Sequence, residues 1–151
     1  MRNVFNPFII FAAVATVLPP TASAQALVEG PVVAEVVRVV DGDTLLVLAR
    51  PWPQQTIEVY VRLRGIDTPE LRSRCALGRE KAENARQVLE QLAASSPEVQ
   101  LTKIAADKYF GRIIADVALA DGRNPAKEMM AAGLAGPYSG RGQKFDPCRT
   151  D

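Results

Sequence analysis

Histidine is missing from all 151 residues. That removes every mechanism needing an imidazole base, and every His-ligated zinc site. Cysteine occurs twice, too rarely for a Cys₄ zinc site or an iron–sulfur cluster held within one chain. An excess of one charge is also lacking, with 18 basic against 17 acidic side chains. Strongly basic chains are the usual nucleic-acid binders, so any polyanion here must meet a local patch. What remains in quantity is carboxylate, the main source of acid–base and metal chemistry in this sequence.

No apolar run reaches the ~20 residues that a membrane-spanning helix needs. The run Phe8 to Leu18 has 11 and follows the positive Arg2. Pro19-Pro20 and the small-residue series Ala22-Ser23-Ala24 come after it, an A-x-A site. Residues 1–24 therefore read as a secretory signal peptide cut near Ala24, which places the protein outside the cell or in the periplasm. Residues 25–151 then form a single domain with 17 basic and 17 acidic groups. The charge is uneven: residues 25–60 carry two Arg against five acids, and 61–112 carry ten basic groups against seven. In an oxidising compartment Cys75 and Cys148 are expected to pair, tying mid-chain to the tail. Two free thiols or an intermolecular bridge are the alternatives.

Val32 to Val40 is a strand pattern, Asp41-Gly42 supplies a turn, and Thr44 to Ala49 resumes the apolar run. Pro51–Gln55 breaks it, and Trp52 within that loop either stacks on a base or covers local apolar surface. Thr56 to Arg64 alternates, with Ile57, Val59, Val61 and Leu63 on one face and Arg62 and Arg64 on the other. Residues 79–94 place Ala82, Ala85, Val88, Leu89 and Leu92 along one helical stripe. Two more strands follow, Glu98 to Ile104 and Arg112 to Ala120. A short helix from the Asn124 cap to Ala132 ends at Gly133. The order β-β-β-α-β-β-α is α+β, mainly β, and suits the five-stranded barrel of the OB-fold.

Four segments hold polar residues that a plain barrel does not require: Asp41–Thr44, Arg62–Glu70, Asp107–Arg112 and Gly133–Tyr138. Each has a bland reading as a turn, a solvated face or a helix terminus. Together they offer carboxylates for a hard cation, arginines that clamp phosphate in a bidentate manner, and a further carboxylate to activate water. That set serves phosphodiester hydrolysis.

The motifs V-x-D-G-D-T (Val39–Thr44), R-x-x-G-I-D-T-P-E (Arg62–Glu70), D-K-Y-x-G-R (Asp107–Arg112) and the late N…G-L-A (Asn124–Ala135) resemble, in the same order, those of the staphylococcal nuclease (thermonuclease) family. The resemblance spans about residues 32–138. It implies an OB-fold nuclease dependent on Ca²⁺, with Mg²⁺ or another hard cation less favoured, cutting DNA or RNA to leave 3′-phosphate ends. It implies metal ligands at Asp43, Asp67 and the Thr68 carbonyl, and Glu70 as the base. Arg62 and Arg112 would bind the phosphate. Lys108 and Tyr109 would contact a neighbouring phosphate, and Tyr138 would lie near the base. No stable protein partner is implied, and a monomer is expected.

The chain departs from the staphylococcal pattern in the longer hairpin between Asp43 and Arg62, in Phe110 inserted before Gly111, and in its neutral charge. The rival readings are a noncatalytic OB-fold module for nucleic acid or another anionic ligand, and a structural domain in a secreted assembly. Retention of Arg62, Asp43, Asp67, Glu70 and Arg112 together favours the enzyme.

Overall fold

The computed structural model describes residues 26–149, so the leader reading of residues 1–24 lies outside them. Eight strands and two helices follow in order: β1 (Leu27–Val28), β2 (Val32–Asp41), β3 (Thr44–Trp52), β4 (Gln55–Leu63), β5 (Ile66–Asp67), α1 (Ala76–Ala94), β6 (Glu98–Ala106), β7 (Arg112–Ala118), α2 (Pro125–Ala131) and β8 (Gly136–Pro137).

Antiparallel pairing joins β2 to β3 and β3 to β4. The β4 edge pairs with β7 in parallel, from Tyr60↔Arg112 to Leu63↔Ala115. β7 then pairs antiparallel with β6, and β6 returns to β2 at Val32↔Leu101. Five strands thus close on themselves, which removes the exposed edges an open sheet must protect. This is the OB-type α+β barrel that the order of elements predicts. Its interior is filled by Leu45, Val47, Val61, Leu63, Leu101 and Ala115, closed by Leu89 of α1 and Met129 of α2.

The α1 stripe is as the periodicity predicts: Ala82, Ala85 and Leu89 are buried, and Val88 and Leu92 pack against the core. The helix begins three residues earlier than its apolar pattern, because Cys75 serves as the N-cap and accepts from the Gly78 N–H at 3.1 Å. Asn124 and Pro125 start α2 as expected, with Asn124 Oδ1 accepting from Ala126 N–H at 2.9 Å.

The Pro51–Gln55 break is shorter than expected. β3 runs on through Pro51 to Trp52, and Trp52 pairs with Gln55 around a tight turn. Pro51 is tolerated there because the β3–β4 register shifts between Ala49 and Trp52, and prolines are accommodated at such irregularities. The hairpin tip leaves the barrel behind, so Ile57, predicted to face inward, is exposed, as is Trp52.

Gly42 shows how closely the elements meet. It does not adopt a left-handed conformation, so freedom of φ is not why glycine stands in this turn. A Cβ here would lie 2.8 Å from Ala85 Cβ and 2.8 Å from Thr68 Oγ1. Room is the reason. Gly42→Ala is expected to destabilise the fold by about 1–3 kcal/mol, the usual cost of overpacking, because Ala85 moves only if α1 moves. Thermal denaturation checks this, and an unchanged midpoint would count against such tight contact.

Candidate active site

The β2–β3 turn swings Asp43 back over β4, where its backbone carbonyl accepts from Leu63 N–H at 2.8 Å. At the far end of β4, Gly65 adopts φ +84°, a conformation favouring glycine, and reverses the chain into β5. Asp67 is thereby brought back beside Arg62. One arginine fork bridges the two carboxylates: Arg62 Nη1 lies 2.9 Å from Asp43, and Nη2 lies 2.8 Å from Asp67 Oδ1. Arg62 Nη2 also donates to the Ile66 carbonyl at 3.2 Å. Asp43 accepts from the Thr44 hydroxyl at 3.0 Å and from Thr68 N–H at 3.3 Å. Asp67 Oδ2 accepts from Phe145 N–H at 3.0 Å.

Both carboxylates are nearly inaccessible, at 3% for Asp43 and 4% for Asp67. Burial pushes the Asp43 carboxyl up to about 7; the Asp41 charge and hydrogen bond add to this, while Arg62 and Thr44 oppose it. A buried carboxyl in that condition is relieved by additional positive charge. The donors are all oxygen, which suits a hard cation and offers nothing to a soft one. Among the described residues no three His, Cys, Asp or Glu side chains gather as a metal-binding group. Side chains would thus supply two ligands, Asp43 and Asp67, with backbone and water completing the shell.

Glu70 stands on the loop between β5 and α1, largely exposed, with Lys144 Nζ 2.5 Å from its Oε1. The Lys144 hydrogen bond and charge hold the Glu70 carboxyl below its usual range, and Arg62 contributes to the same effect. Arg112 opens β7 opposite Tyr60 in the parallel ladder, on the same outer face as Arg62 and one step along it. Its guanidinium pairs with Asp107 and lies over the Tyr109 ring, 4.6 Å from the centroid. Lys108 Nζ is 5.0 Å from the same ring. Tyr138 sits beside the carboxylate pair, its ring 5.9 Å from the Arg62 guanidinium carbon. It borders a shallow depression shared with Gly65, Pro137, Ser139 and Arg141.

The structure therefore gathers Asp43, Asp67, Thr68 and Arg62 in direct contact, with Glu70 and Tyr138 alongside. Arg112, Lys108 and Tyr109 form a second group around the tyrosine ring. Arg64, in the turn just after β4, points elsewhere: its Nη2 donates to the Ile114 carbonyl at 3.1 Å and to the Lys103 carbonyl, bracing β6 and β7. Lys144 and Phe145 reach the site without belonging to any motif. The signal that could have found them is Cys148, since a Cys75 bridge must draw the residues just before it toward Glu70. That bridge is present, with Cα atoms 5.9 Å apart.

A closed five-stranded barrel with two helices, carrying an arginine-bridged carboxylate pair beside β4, defines the class as an OB-type α+β domain. The sequence profile described as "Staphylococcal nuclease homologue" matches residues 60–148, and the chain belongs to that family. The match takes in Arg62, Asp67–Glu70, Arg112 and Tyr138; Asp43 lies before it and joins the site through the β3–β4 pairing. No curated protein matches the chain closely enough to stand as a relative.

Proposed function

We propose that the protein is an exported, calcium-dependent nuclease that hydrolyses phosphodiester bonds of DNA and RNA at the 5′-oxygen, leaving 3′-phosphate ends. The observation that carries this reading is the Arg62 fork between two buried carboxylates from separate turns, with Glu70 beside it. An anion-binding arginine and a cation-binding carboxylate pair in contact are what a charged diester requires of one site.

Asp43, Asp67 and the Thr68 carbonyl would hold Ca²⁺. Bound there, the cation would neutralise charge on the phosphate as the transition state forms. Glu70 accepts the proton of the attacking water, and its open position on the loop leaves it reachable by solvent and substrate. Arg62 and Arg112, on adjacent strands of one face, clamp the nonbridging oxygens. Lys108 and Tyr109 contact a neighbouring phosphate, and the Tyr138 ring offers a surface to a base. Export is supported by the leader-like residues 1–24 and by the disulfide. No helix among the described residues is long and apolar enough to cross a membrane.

A noncatalytic module that binds anionic ligands is the second reading. It is favoured by one observation: Glu70 and Arg112 already have protein partners, Lys144 and Asp107. The two readings separate on one assay. With Ca²⁺, the purified protein is expected to degrade plasmid DNA and RNA to fragments that a 3′-phosphatase renders extendable by a polymerase. Tight binding of both without cleavage would overturn the nuclease reading.

A further inference from the structure

The loop that carries Glu70 is crossed at both ends by one short stretch of the C-terminal tail. At its start, Lys144 Nζ meets Glu70 Oε1 at 2.5 Å, and Phe145 N–H donates to Asp67 Oδ2 at 3.0 Å. At its end, Cys148 is bonded to Cys75, and Ser73 Oγ lies 3.0 Å from Cys148 Sγ. Within the loop, Ser73 N–H donates to the Glu70 carbonyl at 2.8 Å. The tail is also pinned from the side. A Cβ at Gly136 would come 2.8 Å from the Phe145 ring, and Gly136 is the β8 partner of Asp67.

We propose that residues 144–148 are a disulfide-held brace that positions Glu70 and Asp67, so that full activity requires the Cys75–Cys148 bond. The inference rests on the nuclease reading and adds two residues and a redox condition to it. An exposed Lys–Glu pair contributes little by itself. Here the bridge, only four residues away, keeps Lys144 at high local concentration beside Glu70. The brace orients the carboxylate and does not block it: Lys144 engages Oε1 alone, and the Glu70 side chain stays 66% exposed. Dithiothreitol reduces the bridge to two thiols and is itself oxidised to its cyclic disulfide, freeing the tail from the loop. A chain still in a reducing compartment would then hold its base loosely.

The test compares the purified protein, oxidised and reduced, with Lys144→Ala, Lys144→Arg and the Cys75→Ser/Cys148→Ser pair, reading kcat and KM on an oligonucleotide with Ca²⁺. Thermal midpoints confirm folding at the assay temperature. Lys144→Ala is expected to lower kcat roughly tenfold with little change in KM, since small misplacement of a reacting group is costly. Lys144→Arg should retain most of the rate. Loss of the bridge should lower kcat similarly, and adding Lys144→Ala to it should cost less than about twofold more, because both act on one contact. A parental kcat for Lys144→Ala, or independent multiplying losses, would overturn the brace. Should the oxidised parent bind nucleic acid without cleaving it, the nuclease reading fails and amide exchange decides the brace. Faster exchange at residues 67–75 and Phe145 on reduction would support it, and unchanged exchange would refute it.

Discussion

Glu70→Gln is expected to lower turnover by about 10²–10⁴-fold, the usual worth of general-base help, while oligonucleotide affinity stays near the parent's. The substitution keeps the length and supplies an amide oxygen that can still accept from Lys144 in place of the carboxylate oxygen, but it cannot take a proton from water. The groups assigned to binding are elsewhere. Arg62 is held by Asp43 and Asp67, and Arg112 by Asp107 and the Tyr109 ring, so neither depends on Glu70 for its position. Single-turnover cleavage with saturating protein isolates the chemical step, and a binding titration on the same oligonucleotide tests the rest. A variant that cleaves like the parent would show that Glu70 is not the base. A variant that neither binds nor cleaves would show that the residue holds the site together instead.

Chelation is expected to have the larger effect still. Cleavage should fall to background in EGTA and return when Ca²⁺ is restored in excess. The basis is the ligand set: two buried carboxylates that offer only oxygen to a cation, one of them driven toward protonation by its own burial. A second readout needs no substrate. Ca²⁺ that binds only the folded state stabilises it by about 2.7 kcal/mol at a hundred times its Kd, so the thermal midpoint should rise with Ca²⁺ and the rise should be lost in Asp43→Asn. Cleavage undiminished by exhaustive chelation would remove the cation from the reaction. A midpoint indifferent to Ca²⁺ would remove it from Asp43.

Much of this site is legible in the sequence because its chemistry comes from short contiguous motifs at strand ends. Asp43, Arg62, Asp67 and Glu70 all fall within such segments, and the alternation of residues 56–64 already puts Arg62 on the face away from the core. Other parts are not legible, for physical reasons. Arg62 and Arg64 look equivalent in an alternating strand, yet only the fold decides that Arg64 is spent on the carbonyls of Lys103 and Ile114. Alternation predicts Ile57 inside but cannot tell where a barrel ends along a long hairpin. The onset of α1 is hidden because Cys75 is an unusual cap and Leu77, in the first turn, is exposed. Two-residue strands such as β5 and β8 carry no periodicity at all. The tail at Lys144 and Phe145 is the largest omission, since its link to Glu70 passes through a covalent bond and not through any local pattern.

The parallel seam between β4 and β7 divides the site by sequence distance. Asp43, Arg62, Asp67 and Glu70 lie within one stretch of the chain, joined through the β2–β3–β4 hairpins. Arg112 arrives only after α1 and β6, and stands near Arg62 only once that seam is shut. Closing a long loop is entropically costly before its contacts reward it, whereas hairpins form at small cost. The contacts among Asp43, Arg62 and Asp67 therefore span short sequence separations, whereas those of the second guanidinium, like the tail contacts to Asp67 and Glu70, span long ones. A chain folding in sequence can bring Asp43, Asp67 and the first arginine together early. It acquires the second arginine only when the barrel closes, and the tail contacts to Asp67 and Glu70 only after that.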